Sequence, residues 1–173
     1  MQQKHQAGFS LIEVLISIFV LSVGLLGAAG LQLSSLQQQQ SAYLRSQATV
    51  IAYDMVDRMR ANAVGLSAGD YNNPTATYNS GCTTTTGCTT SQMAAHDFYE
   101  WAGNGATENS IAKLLPNGVG VVCIDSSPDD GDTADSKCDN SGSVYAVKVW
   151  WSDDRSQSTA ANRIQRFVTT VGF

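Results

Sequence analysis

The stretch FSLIEVLISIFVLSVGLLGAAGLQL, Phe9–Leu33, decides the architecture, because it holds one charged residue, Glu13, and the next charge along the chain is Arg45. A bilayer core of about 30 Å is crossed by roughly 20 helical residues rising about 1.5 Å each, and this stretch is long enough. A buried core helix is the alternative, and the length of the run at an N-terminus argues against it. A cleaved secretory signal also begins with a basic residue, here Lys4, before an apolar segment. Three features oppose that reading. The run is longer than the usual apolar region of a signal, an acid sits near its start, and no small-residue cleavage site precedes Gly27–Gly30.

Glu13 is the residue that asks for chemistry. An ionisable side chain in a spanning segment is costly, so a lone one needs a partner or a route to the headgroups. In a helix Glu13 lies one turn from Phe9. An α-amine freed at Phe9 would be a cation able to pair with it, within the chain or on a neighbouring subunit. A pair between subunits would fix the axial register of a helical bundle.

Lys4-His5-Gln6-Ala7-Gly8-Phe9-Ser10-Leu11-Ile12-Glu13 resembles the processing site of type IV prepilins and type II secretion pseudopilins. The resemblance implies a leader over residues 1–8, cut by a prepilin peptidase after Gly8, with the new N-terminus at Phe9 then N-methylated. Glu13 falls at the fifth mature position, where that family carries its assembly glutamate. Lys4 before the apolar segment is a positive-inside signal. It points to a cytoplasmic N-terminus with the remainder of the chain periplasmic, and the resemblance implies a single-pass inner-membrane protein that later joins a cell-surface pilus.

Past Leu33 the sequence turns polar through Ser34, Ser35 and Gln37–Gln40, yet no proline occurs before Pro74, so the helix can continue. Leu44, Ala48, Ile51, Met55 and Met59 recur at helical spacing, with Arg45, Asp54, Asp57, Arg58 and Arg60 mostly off that stripe. One helix over 9–62 is expected, spanning over 9–33 and amphipathic over 34–62. Gly24, Gly27 and Gly30 each cost about 1 kcal/mol relative to Ala in a helix interior, and permit close helix contact or local unwinding.

Residues 63–173 are expected to form the periplasmic domain. Asn62–Asn79, rich in Gly, Asn, Ser and Thr, reads as a loop. Ser91 reads as the N-cap of a helix running to Ala102 and stopping at Gly103, and Asn109–Leu115 as a further helical turn before Pro116. Val119–Ile124, Val144–Trp151 and Ile164–Val171 are rich in β-branched and aromatic residues and read as strands. Loop and short helices over 63–117 followed by an antiparallel sheet over 118–173 give an α+β chain. That is the plan of the type IV pilin fold, a long N-terminal helix packed on a small sheet domain.

Four cysteines in an oxidising compartment suggest two disulfides. Local pairing, Cys82 with Cys88 and Cys123 with Cys138, is the expectation, although the count admits other connectivities. Closing the second loop would add on the order of 3 kcal/mol by loop entropy. A zinc site is disfavoured: there is no CxxC pair, and only His96 remains once the leader is removed. Asp125, Asp129, Asp130, Asp132, Asp135 and Asp139 offer many oxygens. Pro128 breaks the alternation an EF-hand needs, so a solvated acidic loop is expected, with no metal and no cofactor. No HExxH, GxSxG, Walker A or strand-to-helix GxGxxG motif is present, and no catalytic residue is assigned. A net charge of -5 argues against a general nucleic-acid surface. Lys148, Arg155, Arg163 and Arg166 are the cations a DNA-uptake pilin would use.

Several segments are similar to minor pilins of the PilV type: Gly8–Leu15, Leu21–Gly27 with Gly30-Leu31-Gln32, Asp54–Asn62, Lys113–Pro116 and Val147–Asp153. The resemblance implies a low-abundance subunit that joins other minor pilins, primes pilus assembly and is carried in the tip complex. Its partners would be those minor pilins, the major pilin, the prepilin peptidase and the inner-membrane assembly platform. A type II secretion pseudopilin shares the same N-terminus.

Overall fold

The computed structural model describes residues 8–103, 109–153 and 164–172. The leader residues up to Ala7, Lys4 among them, and Arg155 and Arg163 lie outside the described residues. One helix, α1 (Leu11–Ala61), runs through the proline-free stretch. It is long and apolar enough to cross a membrane. The chain divides into two compact units within this helix, between Gln40 and Ser41.

In the first unit every described residue is exposed. In the second, the stripe is seated: Leu44, Ala48, Ile51, Met55 and Met59 are buried together with Ala52 and Val56. Apolar spacing close to 3.6 residues puts these on one face, and that face is where the rest of the unit packs.

Asn62 ends α1 and at once caps a second helix, α2 (Ala63–Ala68), its Oδ1 accepting from the Gly65 amide at 3.3 Å. Gly69 closes α2 in the left-handed conformation (φ 90°). The expected loop from Asn62 to Asn79 is thus partly helical. Its Asn and Gly residues serve as caps, which carry the same composition as a loop. Helix α3 (Thr90–Ala102) starts earlier than the expected Ser91 cap. Thr89 caps it, accepting from the Gln92 amide while the Gln92 side chain accepts from the Thr89 amide. Gly103 (φ 95°) ends it, and a short α4 (Ile111–Leu114) follows.

Three strands, β1 (Val119–Ile124), β2 (Val144–Ser152) and β3 (Ile164–Gly172), form an antiparallel sheet in the order β1-β2-β3. Register pairs Val122 with Val147 and Val149 with Phe167. Tyr145, Val147, Val149 and Trp151 of β2 join the α1 stripe and Trp101 in one core. The alternate residues Ala146, Lys148 and Trp150 are buried too. A strand buried on both faces loses the polar alternation of a half-solvated one. Two buried side chains bond to backbone across the domain: Trp101 Nε1 donates to Ile51 O at 2.8 Å, and Tyr145 OH to Leu66 O at 2.9 Å. The result is α+β, a long N-terminal helix packed on a small antiparallel sheet, as in the type IV pilin fold.

Candidate functional site: the exposed apolar half of α1

The first turn of α1 is closed by Ser10 O, which accepts from the amides of Glu13 and Val14 at 3.0 and 3.3 Å. Glu13 therefore stands at the positive end of the helix, which favours a carboxylate there. It shares a shallow recess with Phe9, Val14, Ser17, Ile18 and Leu21. Phe9 is 84% exposed and Leu26 74%. Ser17 and Ser22 donate their hydroxyls back to Glu13 O and Ile18 O, both at 2.7 Å. Those hydroxyls are satisfied within the helix and can enter an apolar environment at little cost. Glu13 is then the one side chain of this stretch whose charge asks for something from outside it. A contiguous apolar surface of this size calls for lipid or for other apolar helices.

The Cys82–Cys88 and Cys123–Cys138 pairs are both joined as disulfides. Ligand atoms of Cys123, Asp125 and Cys138 lie within 4.8 Å of one another. With both sulfurs in a disulfide, neither offers the thiolate a metal would need.

The acidic loop is largely solvated, as expected, with Asp129, Asp132, Asp135 and Asp139 exposed. Beyond that expectation, Asp125 is buried and the loop turns carboxylates onto protein cations and its own amides. Lys148, fully buried, is reached by Asp125 Oδ2 at 2.5 Å and Asp130 Oδ1 at 2.9 Å. Arg166 donates to Asp129 Oδ1 at 2.7 Å and to the carbonyls of Asp129 and Gly131. Asp139 accepts from the Ser126 hydroxyl and amide and from the Ser141 amide, bonds that hold its carboxyl below the usual aspartate range. Asp132 is held low in the same way by the amides of Asp135 and Ala134. Two of the four cations a DNA-binding surface would need, Lys148 and Arg166, are thereby committed within the domain. Lys148 is the only charge in β2; the sequence suggested it only as a cation for DNA, and its partners within the domain were not legible.

A second cluster went unnoticed in the sequence. Arg58 of α1 meets Glu100 Oε2 at 2.8 Å, Asp54 Oδ2 at 3.0 Å and Asp97 Oδ1 at 3.5 Å, tying α1 to α3. Burial raises the Asp97 carboxyl above its ordinary range, opposed by the Tyr71 hydroxyl, which donates to it at 2.6 Å, and by Arg58. Burial and that same bond raise the Tyr71 phenol well above its ordinary value. His96 Nδ1 accepts from the Asn79 amide at 3.2 Å, so this buried histidine serves the packing of the domain.

Residues 3–29 match the family model described as the prokaryotic N-terminal methylation motif, and residues 30–99 match the model described as type IV pilin Tt1218. No curated protein and no solved structure matches the chain. The two matched stretches adjoin, and together they take in all of α1 and α2 and most of α3.

Proposed function

Taking the chain as the type IV pilin-like protein those matches make it, we propose that it acts as a minor pilin, one that helps prime a type IV pilus and travels at its tip. Type IV pilins assemble with other pilins and are processed by a prepilin peptidase, and the methylation motif with its apolar helix fits a membrane-anchored pilin. In this reading the peptidase cuts after Gly8, the amine of Phe9 is methylated, and the apolar half of α1 holds the chain in the inner membrane with its domain in the periplasm. On extraction, that half buries itself among the same helices of other subunits. Glu13 meets an N-terminal amine there and sets the register. The chain's role is structural.

The observation that supports this most is a single carboxylate in the first turn of α1, in an exposed and mainly apolar stretch that holds no other charge up to Leu33. Segments similar to PilV-type minor pilins support the subtype. The test is Glu13→Gln in the native host, beside a deletion. Mass spectrometry should still find methylated Phe9 as the first residue of the variant. Its incorporation into filaments should fall on the order of 100-fold, the scale of about 2.5–3.5 kcal/mol that an intramembrane charge commands. The deletion should remove surface pili. Intact pili with failed protein export would favour the pseudopilin, and a native protein still beginning at Met1 would end both readings.

A further inference from the structure

Lys148 and Asp125 lie beneath the acidic loop with no exposed side-chain surface at all. The ammonium has three protons, and three oxygens already accept them: Ser136 O at 2.8 Å, Asp130 Oδ1 at 2.9 Å and Asp130 O at 3.2 Å. The nearest oxygen of all, Asp125 Oδ2 at 2.5 Å, takes part in no hydrogen bond and is buried. An ordinary ion pair aims a proton at its closest acceptor. Here the nitrogen instead crowds the carboxyl group with its protons directed elsewhere.

The surroundings favour condensation. Lys148 pairs in register with Val121 and Val168, and the Cys123–Cys138 disulfide brackets the loop that covers it. Two opposed charges taken out of water are expensive to keep, whereas the amide formed from them is neutral. Fixed juxtaposition replaces the entropy an intermolecular reaction would lose, and exclusion of water protects the product from hydrolysis. Asp130 touches the reacting nitrogen while its side chain remains 44% exposed, so it can take a proton and pass it on.

We propose that Lys148 and Asp125 join in an intramolecular isopeptide bond. The Lys148 ammonium gives one proton to the Asp130 carboxylate, and the freed amine attacks Asp125 Cγ. The C–N bond forms, a C–O bond of the carboxyl breaks, and the departing oxygen collects the proton held by Asp130 together with the second proton lost by nitrogen. Ammonium plus carboxylate becomes amide plus one water, with no oxidant, reductant or further reactant. The bond links the end of β1 to the middle of β2 beside the disulfide, and so fastens the loop over the sheet.

Intact mass tests it. The full-length chain, made without a prepilin peptidase so that every variant keeps one N-terminus, is purified in detergent, fully reduced and denatured. The wild type should weigh one water less than its sequence requires. Digestion should yield a branched peptide joining Lys148 to Asp125, with no cleavage after Lys148. Lys148→Arg and Asp125→Ala should each restore the full mass expected for their sequence. Asp130→Asn should form the bond about 10²-fold more slowly, the scale of a lost proton relay. A wild-type chain of full mass, or a missing water that maps to any other residue pair, overturns the proposal whether or not the variants fold.

Discussion

Helix α1 is one unbroken run of backbone hydrogen bonds, yet its two halves are stabilised by different surroundings. From Leu11 to Gln40 every residue is exposed, and none of the apolar ones is buried by another of the described residues. From Ser41 to Ala61 the same geometry carries a buried stripe. Helix formation is thus a local property of the sequence, and what rewards it is a property of the environment. The second half finds that reward in its own domain. The first half has to be given it, by lipid or by other helices.

Truncations should separate the halves most sharply. Met55→Ala removes a fully buried side chain and should lower the unfolding free energy of the domain by about 2–5 kcal/mol. Leu25→Ala, at a side chain 63% exposed, should leave thermal unfolding of the detergent-solubilised chain unchanged. If the two variants melted alike, the division of α1 would be wrong. Glycines give a smaller contrast, with opposite signs. A Cβ on Gly120 would come within 2.3 Å of Ile111 Cδ1 and 2.6 Å of Trp101. Gly120→Ala should therefore destabilise by about 1–3 kcal/mol through overpacking. A Cβ on Gly27 meets nothing within 4 Å, so Gly27→Ala should favour helix by about 1 kcal/mol, read as raised helicity by circular dichroism. Where Gly27→Ala also impairs filament incorporation, the open space belongs to a neighbouring helix.

The smallest effect concerns acid, and it should leave the exposed half of α1 untouched. Asp139 has a folded-state affinity for protons below its unfolded one, because Ser126 and Ser141 donate to its carboxylate. A depressed carboxyl contributes stability above its unfolded value and loses it as pH falls through the folded one. Protection from hydrogen exchange, corrected for the intrinsic rate at each pH, should therefore fall in the loop over residues 125–142 as pH drops below the ordinary aspartate range, ahead of any loss in β2. Asp139→Asn should weaken that pH dependence, leaving the share carried by Asp132 and Asp135.

Most of the architecture was legible because it rests on periodicity. A proline-free helix, the stripe from Leu44 to Met59 and three β-branched runs each follow from neighbours in sequence. Where reading failed, a residue had two structural uses. Asn62 and Gly69 look like loop residues and cap α2; Ser91 looks like a cap, but Thr89 with Gln92 forms the reciprocal one. Glu13 could be singled out because a membrane-length stretch makes any charge conspicuous. The ties of Lys148, Arg166 and Arg58 could not, since their partners are brought near only when the sheet and α3 have formed. Long-range polar pairing leaves no periodic trace.

The bond from Trp101 to the Ile51 carbonyl has an optical corollary. All three tryptophans lie beyond α1, and each is nearly inaccessible to water. One of them is anchored directly to the backbone of that helix. Intrinsic ultraviolet emission from this protein therefore reports on the seating of the domain against its helix and is blind to the greasy half, where a signal would require a tryptophan to be introduced.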